Sequence, residues 1–330
     1  MTTLTEVRPP STRLRTARRV VSYAAILGTL PYLTLKFCWL IGIEAGITDP
    51  AFLHDSGIFL LNLFTAGMDV YAVGLALVFA HAWGQRAWPP LVLFPIWVGT
   101  GFLAPIAVGA PVVGLIMAVV PPEPAASGGA ELPIAPWVQP LVYAGFAWQG
   151  IFLLTAFLLY AVERWSPVFT ARLSGPSRAG WAPLGYTGAA LAVATAAIHL
   201  SYAAGIGLSA AEAAGRTAVT SGVESIRGLA ALAGAAGVVM LLRGVPAGWR
   251  FWVPTVLGWT GAGAMFSWGF WSLLNIAGST LLAQGELGIV HLAHVTAQFL
   301  GGILLGAAVL RHCTHLTATS ALTGPAAGGE

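Results

Sequence analysis

Carboxylates, cations and imidazoles recur inside the most apolar stretches of this chain: Asp69 and Glu224, Lys36 and Arg227, and His199, His291 and His294. An ionisable group at bilayer depth costs about 2.5 to 3.5 kcal/mol on insertion scales, so it turns toward the bundle interior and is a functional candidate by default. Asp69 sits in FTAGMDVYAVGLALVF, residues 64 to 79, about twelve residues into an apolar run. At about 1.5 Å per residue that is close to the midplane. Asn62, Ala66 and Val73 share its helix face. Glu224 and Arg227, three residues apart, can touch on another helix.

One chemistry that such groups support is intramembrane acid catalysis. A buried carboxylic acid delivers a proton to an alkene or epoxide of a lipophilic substrate, and aromatic faces stabilise the carbocation that results. Two carboxyl groups in unlike environments divide the roles of acid and base. Asp69, desolvated and with no basic neighbour along its own helix, is the expected catalytic acid, and Glu224, ionised beside Arg227, the expected base or electrostatic stabiliser. The expected substrate-binding residues are Trp268, Trp271, Phe266, Trp148, Lys36, Arg227, His199 and His294. This scheme requires both acids to meet in one hollow, and fails if Lys36 lies against Asp69, since that pairing would favour the ionised acid.

Each residue also has a plainer reading. Lys36 can snorkel to the outer interface, Glu224 and Arg227 can staple the bundle, and Asp69 can serve as a structural hydrogen-bonding group. His291 and His294 have HxxH spacing on one helix face, but a metal would need further ligands, and His199 is the one other histidine at membrane depth. No metal or cofactor is expected. Small residues beside the rings of WTGAGAMFSWGFW, 259 to 271, equally suit close helix packing.

The elements that position these residues follow from composition. Of 330 residues 57% are hydrophobic and 8% charged, against about 25% charged in soluble domains, and mean hydropathy is +0.80. The chain reads as an all-α polytopic membrane bundle. The net charge of +3 comes with arginines scattered singly at the ends of apolar runs, which points to topology and not to nucleic acid. Cys38 and Cys313 suggest neither a disulfide framework nor a metal knuckle.

Eight runs are long enough to cross: 20 to 43, 57 to 81, 89 to 119, 137 to 162, 183 to 208, 222 to 242, 251 to 275 and 287 to 310. The third carries Pro95, Pro105 and Pro111, which predicts a kink or a re-entrant end. Eight crossings from a cytoplasmic N-terminus gather Arg8, Arg13, Arg15, Arg18, Arg19, Arg86, Arg164, Arg172, Arg178, Arg243, Arg250 and Arg311 on one side, with Arg216 opposite. Glu44, Asp49, Asp55, Glu123, Glu131, Glu212 and Glu286 fall with Arg216. By the positive-inside rule both termini are cytoplasmic, in the cell membrane.

The expected organisation is a basic N-terminal segment, 1 to 19, a first four-helix half, 20 to 165, a cytoplasmic linker, 166 to 182, a second half, 183 to 311, and a disordered tail, 312 to 330. YLTLKFCWLIGI, 32 to 43, lays over AIHLSYAAGIGL, 197 to 208, and PPLVLFPIWVGTGF, 89 to 102, over VPTVLGWTGAGAMF, 253 to 266; Gln149 falls opposite Gln298. These overlays are compatible with a parallel four-plus-four duplication.

LPYLTLKFCWLIG, 30 to 42, after an arginine-rich start, together with eight spans and two weakly similar halves, resembles a group of actinobacterial integral membrane proteins, and in size and hydrophobicity the bacterial membrane-bound terpene cyclases. The resemblance implies protonation-initiated cyclisation of a prenyl chain on a lipophilic acceptor, with Asp69 and Glu224 as the matching acids. The expected partners are a lipophilic small molecule and the bilayer. A small proton-coupled transporter, export or immunity protein is the alternative, since such proteins also hold carboxylates at midplane. No Walker, Rossmann, GxSxG, HExxH or CxxC motif occurs. A DDxxD-type motif is missing too, which favours a proton over diphosphate ionisation as initiator.

Overall fold

The computed structural model describes residues 12–120, 133–176, 180–206, 216–278 and 288–322. Arg8, Glu123, Glu131, Arg178, Glu212 and Glu286 lie outside them. The described residues are helical, with no strand beyond two isolated bridges. Among the described residues are eight long helices: α1 (Thr12–Leu40), α2 (Ser56–Ala80), α3 (Pro89–Val119), α4 (Val138–Arg164), α5 (Ala182–Ala204), α6 (Ala218–Arg243), α7 (Trp252–Ala277) and α8 (Ile289–Leu322). Seven are long and apolar enough to cross a membrane, so the chain reads as a multi-pass membrane protein. α7 is as long as α6, but its glycines, tryptophans and hydroxyl residues dilute its hydropathy, and it stands outside the seven.

Helix ends follow local chemistry. Asp55 caps α2 by accepting from the Ile58 N–H at 2.9 Å, and Thr217 with Thr220 forms a reciprocal capping box on α6. Gly205 and Gly244, at φ 76° and 62°, close α5 and α6 in the left-handed region that glycine enters without strain. α3 is one continuous helix despite its three internal prolines, so of the two outcomes expected from the sequence, a kink or a re-entrant end, the re-entrant end does not form. Proline removes an N–H and orphans the carbonyl four residues earlier. The carbonyl opposite Pro95 is that of Leu91, and the Tyr71 hydroxyl donates to it at 2.9 Å. α8 runs on to Leu322, so residues read as the start of a tail are helical.

The stretch read as a linker is built into one end of the bundle. Leu173 exchanges backbone hydrogen bonds with Trp249 and Gly248 at 2.8 and 3.1 Å, and Phe251 donates to Ala171 at 3.0 Å. Arg18, buried at 2% exposure, pairs there with Glu163 at 2.5 Å, and Arg164 contacts Tyr160 and donates to the Ala87 carbonyl at 2.6 Å.

In the first group α1 packs against α2 and α4, and α3 against α4; in the second α5 packs against α6 and α8, and α7 against α8. One pairing differs. α6 and α7 pack along their length, whereas α2 and α3 meet only sparsely. The groups join mainly through α3 on α7, where Trp97 and Trp259 form an edge-on pair at 6.4 Å and Trp97 donates to the Trp259 carbonyl at 3.2 Å. These two mid-span tryptophans thus hold the bundle together.

Close backbone approach at this seam requires glycine. A Cβ on Gly101 would collide with the Gly263 carbonyl, whereas one on Gly99, half a turn away, would meet nothing within 4 Å. Gly101→Ala is therefore expected to lower stability by about 1 to 3 kcal/mol, the usual cost of overpacking. Gly99→Ala is neutral or slightly stabilising. Thermal unfolding of both variants in detergent checks the contrast.

Candidate functional site

Where α2 and α3 part, the helices enclose a cavity of about 970 Å³. It is walled largely by apolar and aromatic side chains of α1 to α4 and, from α7, by Trp268 and Trp271. Phe102 meets both tryptophans edge-on, at 5.5 and 6.4 Å. Four lining residues at the gap between α2 and α3, Leu63, Phe64, Tyr71 and Phe94, are 41% to 56% exposed, and Tyr143 of α4 is 50% exposed. The chamber therefore opens sideways between α2 and α3. The Tyr71–Leu91 hydrogen bond ties the gap on one side, and the contact of Phe64 with Phe270, at 6.3 Å, bridges α2 to α7 on another.

The polar side of the chamber is built from three helices. Lys36 of α1, 5% exposed, donates from Nζ to Asn62 Oδ1 of α2 at 2.6 Å. Its ammonium lies over the rings of Tyr32 and Trp39, 4.7 and 5.3 Å from their centroids, and Trp39 is fixed by donating to the Ala45 carbonyl. Two turns along α2 from Asn62, Asp69 is 6% exposed and faces Gln149 of α4. Its Oδ2 has no hydrogen-bond partner. Lys36 acts on Asp69 through space, but no ion pair joins them. Among the described residues the ion pairs are Arg18–Glu163, His199–Glu224 and Arg227–Glu224.

Glu224 does not line this chamber. It belongs to a second cluster, where its Oε2 is 2.5 Å from His199 Nδ1 and its Oε1 accepts from Arg227 at 3.0 Å. His199 Nε2 lies 3.3 Å from Gln298 Oε1, and the His199 and His294 rings meet edge-on at 5.1 Å. The guanidinium of Arg227 sits 4.8 Å over Trp268. Arg227 and Trp268 line the chamber as well, and together they are the partition between it and the second cluster.

One expectation from the sequence needs correction. Asp69 and Glu224 do not share a hollow, because α2 and α6 have no packed interface and Glu224 is held by His199 and Arg227. Lys36 lines the same chamber as Asp69 but does not lie against it, being seated on Asn62. Of the expected binding residues, Trp268, Trp271, Lys36 and Arg227 line it, while His199 and His294 lie in the second cluster. Phe266 stacks on Trp97 and Phe299 at 4.7 and 5.1 Å, in the seam between helices. Trp148 is half exposed and donates to the Ala24 carbonyl on the outer surface. His294 is buried and His291 exposed; among the described residues no group of three or more His, Cys, Asp or Glu could hold a metal ion. Tyr32 and Tyr143, both lining, carried no signal in the sequence. Gln149 did, through its alignment with Gln298.

Each cluster draws a base from its first helix, an acid from its second and a glutamine from its fourth: Lys36, Asp69 and Gln149, then His199, Glu224 and Gln298. The second set is closed by ion pairing under packed helices, and the first stands at an open chamber. Compared with family models, curated proteins and solved structures, the chain matches none.

The two acids should therefore respond differently to substitution. Glu224→Ala strands His199 and Arg227, and is expected to cost about 2 to 4 kcal/mol, near the lower end for breaking a buried pair. Asp69→Asn, which keeps the shape and loses no ion pair, is expected to stay within about 1 kcal/mol of the parent. Unfolding midpoints of the two purified variants measure the difference.

Proposed function

We propose that the protein is an intramembrane enzyme that takes a lipophilic substrate from the bilayer and exchanges a proton with it through Asp69, as in protonation-initiated cyclisation of a prenyl chain. The observation that carries this reading is a carboxyl oxygen without a partner, deep in an aromatic chamber that opens sideways. In a water-poor site a neutral carboxylic acid is a competent donor to an alkene, and π faces such as Trp268, Trp271 and Phe102 are suited to the cation that forms. Glu224 has no part in this scheme. The same carboxylate that gave the proton is the acceptor available to retrieve one, so the product is an isomer of unchanged mass.

The wider frame of the proposal is eight crossings with both termini cytoplasmic. It is supported by the alternation of the eight long helices and by the arginines gathered at the ends that hold Arg18, Arg164 and Arg250. A four-plus-four duplication is supported by the matching packing of the two helix groups and by the recurring base, acid and glutamine. Proton-coupled transport is the second reading, favoured by Lys36 and Asp69 sharing one chamber near midplane.

Membranes carrying the protein, incubated with prenylated and epoxidised isoprenoid acceptors, are expected to form isomers of unchanged mass. Asp69→Asn should reduce the rate by about 100-fold or more, the scale of general acid catalysis. Proton-coupled uptake into liposomes without any product would transfer the assignment to transport.

A further inference from the structure

Among the described residues, the chamber wall bears one cation with no carboxylate within ion-pair distance. Of the two cations lining it, Arg227 is neutralised by Glu224. Lys36 is not: among the described residues its one hydrogen-bond partner is the neutral Asn62 side chain, its ammonium lies over two aromatic rings, and Asp69 acts on it only from a distance. An ammonium has three donors, so two remain after the bond to Asn62. Burial of a charge at 5% exposure is costly unless an opposite charge meets it. Asp69 is the one acid among the chamber-lining residues, and it does not come within ion-pair distance.

Depth gives the second constraint. Asn62 and Asp69 lie seven residues apart on one face of α2, so the Lys36–Asn62 seat and the carboxyl are about 10 Å apart along the helix. The wall around them is largely apolar, with Leu75, Leu103 and Leu153 buried and Phe102 and Trp271 opposite, and the hydroxyls of Tyr32 and Thr65, hydrogen-bonded to each other, are the polar groups between the two ends. A polar head at Lys36 with an apolar chain reaching Asp69 satisfies both ends at once.

We infer that the chamber takes an amphiphile with a single carboxylate as its head group, seated on Lys36 and Asn62, with its apolar chain directed along α2 toward Asp69. This deepens the proposed function, because it names the substrate class of the same site: an isoprenoid acid, in which the end remote from the head is the part presented to Asp69. A cationic head is opposed by Lys36, and a neutral head leaves the ammonium unanswered.

The test uses the full chain in nanodiscs of zwitterionic lipid, with radiolabelled farnesoate as probe and farnesol and farnesylamine as competitors of equal chain length. Affinities are referred to ligand concentration in the bilayer. Farnesoate is expected to bind about ten-fold more tightly than farnesol, the scale of one charge-assisted hydrogen bond, and farnesylamine more weakly than either. Lys36→Met should abolish the preference for the acid over the alcohol. Equal binding of acid and alcohol, tighter binding of the amine, or no binding of any of the three overturns the inference. That comparison is made on the parent protein and so holds even where Lys36→Met does not fold. Acid-selective binding without turnover would retain the inference and reject the enzyme; turnover of neutral prenyl compounds with no acid preference would do the reverse.

Discussion

An ionisable group held in hydrocarbon must be met by an opposite charge, by hydrogen bonds or by a cavity, and the two helix groups of this protein meet that demand in different ways. Glu224 is met by His199 and Arg227, under helices packed along their length. Asp69 is met by Gln149 and, at a distance, by Lys36, and the helix pair beside it stands apart. The chamber is the space left by that separation. Its position follows from where α2 and α3 fail to close, and its chemistry from the polar groups that the opening leaves on the wall.

The seam between the groups makes this arrangement possible. Gly101 lets α3 approach Gly263 of α7 with backbones touching, which anchors α3 to the second group and away from α2. Pro95, on the chamber side of α3, frees the carbonyl that Tyr71 uses to tie the two helices together across the gap. The tryptophans divide accordingly. Trp97 and Trp259 fasten the seam, whereas Trp268 and Trp271 face the chamber.

Much of the fold was legible from hydropathy, because a chain in lipid must satisfy its backbone within helices; α3 runs over the residues expected for it. The polar residues at membrane depth were legible as a set, and Asp69, Lys36, Trp268 and Trp271 do meet in one chamber. Their partition into two clusters was not, since it depends on which helices pack side by side, and periodicity along one helix carries no information on its neighbours. Glu224 beside Arg227 was a local i,i+3 relation and was readable; His199 opposite Glu224 is a contact across 25 residues and was not. Phe266 and Trp148 were singled out as aromatic residues within spans, but rotation about the helix axis places one in a seam and the other on the outer surface.

The account turns on Asp69 being the carboxyl that a lipophilic molecule reaches from the bilayer, while Glu224 is held ionised in its pairs with His199 and Arg227. A hydrophobic carbodiimide, which forms a stable adduct with protonated carboxyl groups reached through lipid, reports this by mass spectrometry of the digested protein. The account predicts an adduct at Asp69 that an excess of bound isoprenoid suppresses, with Glu224 unmodified. An adduct at Glu224, or an Asp69 that stays unmodified in the intact membrane protein, would contradict it.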